Sequence, residues 1–380
     1  MPWKVELLMF LRQEFVLFAT QPAANVASLC RRFKISRKTG YKWLARSRAE
    51  PANALVDVSR RPARSPNKTA AAMEELVTGI RSQHPAWGAR KIKRRLEDLG
   101  RVEVPARSTV NDILRRNGLI DPAESIKHSA FVRFERSTPN EMWQMDFKGH
   151  FAMAAGRCHP LTMLDDHSRF SILLRACENE RFETVQAALI DTMRLYGMPG
   201  CILSDNGPPW GSFGDEGNWT TLAAWLIRRG VRVAHGRPGH PQTQGKEERF
   251  HRTLKAEAIG SRSFSDINDC QQVFDKWRRV YNCDRPHEAL GLAVPVTRYT
   301  PSIRPFPETL APIEYGAGDQ VRKVCKQGKV SFRGQPRKIG CAFAGERVAV
   351  RPTLTDGMMN VFYCHQRVAE IDLRVQTGDN

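Results

Sequence analysis

Apolar positions in residues 24–48 recur at helical spacing in two short runs. Val26, Leu29 and Phe33 share one face of the first, Lys34-Ile35 turns the chain, and Ser36 stands as an N-cap before the second. In that second helix Tyr41 and Leu44 are expected inward, with Arg37, Lys38 and Lys42 outward. Helix, tight turn, helix with a basic outer face is what a recognition helix needs in a major groove, although a plain basic hairpin would show the same pattern. Residues 73–85, 87–100 and 106–118 read as three more amphipathic helices, the last two closed by Gly100 and Gly118. The last turns Val110, Ile113 and Leu114 inward and carries Arg115 and Arg116 near its C-terminus, where DNA contact and the helix dipole explain two cations equally well. Between the two units lies a proline-containing stretch with Arg60, Arg61, Arg64 and Lys68, a linker by composition that could also lie in a minor groove.

From Asn140 the period changes from 3.6 to 2. Trp143, Met145 and Phe147 fall on one side of a strand and Gln144, Asp146 and Lys148 on the other. Two more strands follow, joined at Asp165-Asp166-His167-Ser168, then a helix ended by Gly197 and Pro199. A strand running into Asp205-Asn206-Gly207, a helix, a strand and a helix through 242–258 complete the series. Three strands, helix, strand, helix, strand, helix is the order of the ribonuclease H-like fold. Its first and fourth strands lie side by side, at a switch point where α/β sheets bind ligands.

The last of these helices sends Phe250, Leu254 and Ala258 inward and aligns Gln244, Glu248, Arg252 and Lys255 on the opposite face. If that face looks at the ends of the first and fourth strands, Asp146, Asp205 and Glu248 converge. Three carboxylates so close repel unless cations neutralise them, and hard oxygen ligands suit two Mg²⁺ or Mn²⁺ ions, the apparatus of in-line displacement at phosphorus. Singly, each carboxylate reads as a structural group. The rival pair, Asp165 and Asp166, reads as a hydrogen-bonded hairpin turn.

Beyond the core, residues 266–290 read as a helix with Val273, Trp277 and Val280 on one stripe. Prolines at 295, 301, 305, 307 and 312 suggest a linker, and from Ile313 short alternating segments with glycine turns suggest a small β-barrel. Its cations Arg322, Lys323, Lys326, Lys329, Arg333, Arg337 and Lys338 suit a DNA backbone or a solvated edge.

Composition sharpens the picture. With 380 residues and 41% hydrophobic content the chain suffices for several domains and is not disordered. A net charge of +19 points to an anionic partner, and residues 1–140 alone hold 27 Lys and Arg against 13 Asp and Glu. The nine cysteines are widely spaced, with no Cys-x-x-Cys pair, which suggests neither a disulfide framework nor a zinc finger and favours a reducing compartment. Charges interrupt the apolar residues between Trp3 and Phe18, so neither a signal peptide nor a membrane span is expected; a cytoplasmic, nucleoid-associated protein is.

The stretches SLCRRFKISRKTGYKWL, HPAWGARKIKRRL, EMWQMDFKG, LDDHSRF, SDNGPPW, HPQTQGKEERFHRTLK and YNCDRPHEAL, in this order, resemble bacterial insertion-sequence transposases of the DDE class, relatives of retroviral integrases. The resemblance implies a multidomain chain: helix-turn-helix domains at 1–50 and 69–120 separated by a linker at 51–68, and an RNase H-like integrase core at 139–292 after a linker at 121–138. A linker at 293–312 then leads to an SH3-like β-barrel at 313–375. It implies Asp146, Asp205 and Glu248 as catalytic and metal-binding residues, with two Mg²⁺ or Mn²⁺ ions and no zinc. Its implied partners are double-stranded DNA, both element ends and target, and further copies of the chain. The implied reaction is nicking of the 3′ ends and their transesterification into target DNA. Two departures stand out. Residues 206–247 lengthen the Asp205–Glu248 spacing beyond the usual, and Gln244 replaces the family's asparagine. A regulator with an inert core and an RNase H-type nuclease are the alternative functions.

Overall fold

A computed structural model of the chain describes residues 5–49, 55–57, 69–120, 135–207, 209–211, 219–236, 245–260 and 262–374. Arg60, Arg61, Arg64, Lys68 and Gln244, most of the 121–138 stretch and most of the loop at 208–218 lie outside them. The chain divides into two compact units, residues 1–68 and 69–380.

The first unit is built from α1 (Val5–Ala19), α2 (Val26–Arg32) and α3 (Arg37–Ala49). Asn25 caps α2 by accepting from the Ser28 amide, and the Ser36 hydroxyl accepts from the Thr39 amide at the start of α3. Phe15, Cys30 and Leu44 close the core from one helix each. Tyr41, expected inward, is exposed; the buried positions of α3 are Gly40, Trp43 and Leu44. Glycine hides an inward position from any hydrophobic pattern, and here a Cβ would stand 2.6 Å from Cys30 Sγ and 2.9 Å from the Phe15 ring. The Trp43 ring is covered by the Arg12 guanidinium at 4.3 Å.

The second unit opens with α4 (Ala71–Gln83), α5 (Ala89–Asp98) and α6 (Arg107–Arg116) around Val77, Trp87, Ile92, Leu96, Val110, Ile113 and Leu114. Gly100 and Gly118 adopt φ of +66° and +69° just past α5 and α6, the left-handed conformation expected where a helix stops.

The central sheet contains β1 (Trp143–Phe147), β2 (Phe151–Ala152), β3 (Arg157–Asp165), β4 (Ser171–Cys177), β5 (Cys201–Ser204) and β6 (Arg232–His235), with α7 (Phe182–Tyr196), α8 (Thr221–Arg228) and α9 (Gly245–Leu254) interspersed. β3 pairs antiparallel with β4, β1 and short β2, whereas β1–β5 and β5–β6 are parallel. The pairing direction therefore changes at β1, and the C-terminal ends of β1 and β5 adjoin. One face of the sheet buries Trp143, Met145, Leu161 and Met163 against α7 and α8. The other buries Leu164 and Leu174 against Phe250 and Leu254 of α9 and against α10 (Ile267–Cys283). Gln144, expected on a polar outer face, is buried there and donates to Asp166 at 2.6 Å. The inward stripe of α10 is Cys270, Phe274, Trp277 and Tyr281. Val273 and Val280 are only partly buried, and Val280 packs with the α4–α6 core; α10 is covered on two sides, which broadens its apolar face beyond one stripe.

The proline-rich segment after α10 is pinned to the core, where a free linker was expected. Around the end of α7 the Ser302 amide and hydroxyl donate to the Tyr196 and Met198 carbonyls and the Met198 amide donates to the Arg304 carbonyl, Arg304 donates to the Pro199 and Gly230 carbonyls at 2.8 Å, and Tyr299 stacks on Phe170 with centroids 4.3 Å apart. Gly197, at φ +74°, leaves its Cβ position to the Ser302 carbonyl 2.4 Å away.

The C-terminal region forms a four-stranded antiparallel sheet of β7 (Gln320–Lys323), β10 (Arg347–Pro352), β11 (Met358–Tyr363) and β12 (Gln366–Asp372). A separate hairpin joins β8 (Lys329–Phe332) to β9 (Gln335–Lys338). Among the described residues, strand pairing leaves this sheet open, without the closure of the expected barrel. Gln366 bonds both the N–H and the C=O of Val233, capping the edge strand β6, and Trp219 donates to the Val368 carbonyl. Arg337 is buried and bonded to Gln335, so it leaves the set of cations expected on the DNA-facing surface.

Candidate active site

Strand β1 brings Asp146 to the face of the sheet that meets α9, and its antiparallel register sets Asp146 opposite Thr162 of β3. The parallel β1–β5 pair, Trp143 with Ile202 and Gln144 with Leu203, carries Asp205 to the neighbouring strand end. Asp205 is fixed by its own turn: its carboxylate accepts from the Gly207 amide at 3.2 Å, and its carbonyl lies 2.9 Å from His235 Nδ1 on β6. Glu248 is exposed in the first turn of α9.

The electrostatics tie these groups together. Burial pushes the Asp146 carboxyl up to about 7, and Asp205, Glu180 and Glu248 add to the shift through like charge. Burial also raises Asp205, with Glu180 adding and His235 opposing. Among the described residues, no three His, Cys, Asp or Glu side chains stand at metal-ligand spacing already. The donors nonetheless fit a hard cation: they are carboxylate oxygens whose mutual repulsion, rather than a nearby lysine, dominates the charge balance at Asp146.

Glu247 and Glu248 are separated by a helical step of 100°. Glu247 is buried against the sheet, within hydrogen-bond distance of Thr162, while Glu248 is exposed and reaches Asp146 only through like charge. Arg252 and Lys255 are exposed on the same helix, as expected. After Leu254 the helix widens into a π turn, Lys255–Ile259, a feature frequent at functional sites. Lys148, one residue past β1, has its ammonium held below the usual range by burial and by Lys255, so these two cations stand near one another. The alternating pattern of β1 placed Lys148 on the Asp146 side, but gave it no role.

Other groups here escaped the sequence reading. His251 is partly buried, held down to about 4 by desolvation and Lys148, and its Nδ1 reaches Asp146 Oδ2 at 3.9 Å. Glu180 pairs with His159 Nδ1 at 2.8 Å. Residues at helical spacing of four, Glu247 and His251, signal a shared face, but only the fold says which strand that face meets.

Asp165 and Asp166 are fully committed elsewhere. Asp165 accepts from Ser168 and Asn140, and Asp166 accepts from the Arg136 amide and Gln144 and pairs with Lys246. Arg37, Lys38 and Lys42 are exposed along α3. Arg115 pairs with Asp112 and Arg116 with Glu74, both pairs at the surface of their helices.

The class follows from domain-family profiles. Two profiles described as "Integrase core domain" match residues 136–241 and 229–295. "Homeodomain-like domain" and "Helix-turn-helix domain" profiles match 39–114 and 11–63, and "IS481 family transposase, C-terminal domain" matches 319–379. The chain thus carries helix-turn-helix domains, an integrase core of RNase H-like fold and an IS481-type transposase C-terminal domain. Among individual proteins, it is 28% identical over 159 residues to the insertion element IS476 uncharacterized 39.2 kDa protein of Xanthomonas euvesicatoria, covering 42% of this chain and 44% of that one. It is 27% identical over 157 residues to the insertion element IS407 uncharacterized 31.7 kDa protein of Burkholderia multivorans, covering 41% and 54%. The chain spans about half the length of these curated relatives. Solved structures similar to it include a chain of the simian T-cell lymphotropic virus intasome in complex with the PP2A regulatory subunit B56 gamma (TM-score 0.37, 14% identity, 78% of this chain and 99% of that one). Another is the HTLV-2 integrase catalytic core in complex with magnesium (TM-score 0.30, 18% identity, 39% and 89%).

Proposed function

We propose that this protein is a DNA transposase that binds the terminal inverted repeats of a mobile element, nicks their 3′ ends and joins them to target DNA. The observation that carries this reading is the pairing of Asp146 and Asp205 at adjoining parallel strand ends, with Glu248 on α9 close enough to raise Asp146 further. Asp146, Asp205 and Glu248 would hold two Mg²⁺ or Mn²⁺ ions, which supply activation of the attacking oxygen and stabilisation of the leaving one. The remaining work belongs to the chain itself. Arg252 and Lys255 lie along the groove beside the carboxylates and hold the phosphodiester in line, and the Asp205 turn keeps that carboxylate fixed through the Gly207 amide. Arg37, Lys38 and Lys42 read the element ends, with Arg115 and Arg116 of the second helix-turn-helix domain and Arg60, Arg61 and Arg64 of the linker adding phosphate contacts. The domain limits 1–50, 69–120, 139–292 and 313–375 assign these tasks, and synapsis of two ends calls for more than one copy of the chain in the bacterial cytoplasm.

The decisive experiment incubates the full chain with DNA carrying the inverted repeats that flank its coding region and Mg²⁺, and reads strand cleavage and joining on a denaturing gel. Asp146→Asn, Asp205→Asn and Glu248→Gln are each expected to lose cleavage and joining together while end binding persists. Cleavage retained by any of the three removes that residue from the site. Sequence-selective binding by the parent without metal-dependent cleavage would favour a regulator with an inert core.

A further inference from the structure

The buried polar groups under the acidic pair have no part in the function proposed above. Thr162 lies opposite Asp146 in the β1–β3 register, and the same face of the sheet receives α9. Its hydroxyl donates to the Asp146 backbone carbonyl at 2.9 Å, lies 2.8 Å from His251 Nε2 and 3.1 Å from Glu247 Oε2. A hydroxyl has one proton and two lone pairs, so three partners saturate it. Glu247 and His251 are one helical turn apart, 3.6 Å from each other at their nearest polar atoms, and their side chains are 1% and 14% exposed. His251 Nδ1 faces Asp146 Oδ2 at 3.9 Å. The Glu247 carboxyl is also held by the Leu164 backbone of β3, so a group that is costly to bury is anchored to the same strand twice.

We infer that Thr162, Glu247 and His251 form a positioning latch that holds the helix bearing Glu248 in register with the strand bearing Asp146. The inference rests on the catalytic reading of the carboxylates. Glu248 follows Glu247 directly, so anchoring the Glu247 side chain to β3 fixes the Glu248 Cα. The Thr162 bond to the Asp146 carbonyl anchors the opposite strand through the same atom. His251 closes the loop by standing against both carboxyl groups. Glu247 is in this account no ligand: its side chain is turned to the sheet, and what it contributes is geometry. Groups that orient metal ligands without touching the ion commonly change affinity or rate about 10–100-fold when removed.

The test measures Mn²⁺ binding to the full chain by titration calorimetry, alongside the kcat and KM of end cleavage. Thr162→Val and Glu247→Ala are expected to weaken Mn²⁺ about tenfold or more and to lower kcat, with KM for the DNA ends unchanged. Thr162→Ser and Glu247→Gln, which keep a hydroxyl and a side chain of the same shape that can donate to it or accept from it, are expected to stay within about threefold of the parent. Thr162→Ser and His251→Gln carry the test if the larger replacements fail to fold, His251→Gln then being expected to weaken Mn²⁺ while Thr162→Ser does not. Parental Mn²⁺ affinity in Thr162→Val and Glu247→Ala, or in His251→Gln where that variant stands in, overturns the latch alone. Glu247→Gln as damaging as Glu248→Gln overturns it by making Glu247 a ligand. A parent chain that binds no Mn²⁺ overturns the latch together with the catalytic reading beneath it.

Discussion

Replacing Asp146 by asparagine is expected to stabilise the metal-free protein while abolishing its chemistry. The carboxyl titrates at about 7 in the folded chain against an ordinary value of 3.8, because it is largely buried and flanked by Asp205, Glu180 and Glu248. The folded state therefore keeps a proton that the unfolded chain has released between pH 4 and 7, so the parent loses stability as pH rises through that window and stays at the lower level above it. Roughly three pH units at about 1.4 kcal/mol each set a ceiling of about 4 kcal/mol. The side chain remains 23% exposed, and the groove water that reaches it reduces the expectation to roughly 1–3 kcal/mol. For a unit of this size that corresponds to a melting shift of about 2–5 °C. Calorimetric scans of parent and Asp146→Asn in chelator at pH 5 and pH 8 measure it. The asparagine variant should show only about a third of its advantage over the parent at pH 5 and the whole of it at pH 8, and saturating Mn²⁺ should close the gap by stabilising the parent alone. A gap that does not grow with pH, or a variant less stable than the parent at pH 8, refutes the electrostatic account. Glu247 is common to both proteins, and the part of its upward shift that Asp146 contributes is relieved in the variant, which adds to the gap with the same sign.

Three further outcomes follow from particular contacts. Gly40→Ala should destabilise the first unit by about 1–3 kcal/mol, seen as early loss of helical signal in a fragment scan, since its Cβ would collide with Cys30 and Phe15. Glu257→Ala strands the Arg285 guanidinium, whose side chain is only 10% exposed in a 3.1 Å pair, and should cost roughly 3–5 kcal/mol; Glu257→Gln, whose single carbonyl oxygen can keep the bond from Arg285 but then loses the one from Trp277, should cost less in the same urea titration. Arg37→Ala and Lys42→Ala should each weaken binding to the element ends and reduce the slope of log affinity against log salt by about one, read by fluorescence anisotropy; unchanged slopes would remove both from the DNA contact.

Much of this molecule was legible in its sequence because local rules act within one element. The change of period at Asn140, the glycines that stop α5 and α6, and the inward stripe Phe250, Leu254 and Ala258 depend on spacing alone. The candidate carboxylates were likewise found by placing three residues on three elements of a recognised order. Where one residue belonged to two environments, spacing was not enough. Tyr41 took the inward place in the reading of α3 because Gly40 has no side chain to register, and the stripe of α10 was misplaced because that helix is buried on two sides.

The sequence by itself determined most of the helices and strands, though not α1 or β2, that the charge is concentrated toward the N-terminus, and which acidic residues stand at strand ends and on the last core helix. Only the tertiary structure decided that Glu247 meets Thr162, and that Thr162 and His251 lie against the Asp146 strand. The proline-rich stretch after α10 was likewise decided there, as part of the core. The reason is that periodicity encodes which side of an element is apolar, whereas a polar contact between residues 85 or 89 positions apart depends on strand register and helix placement, and neither has a local signature.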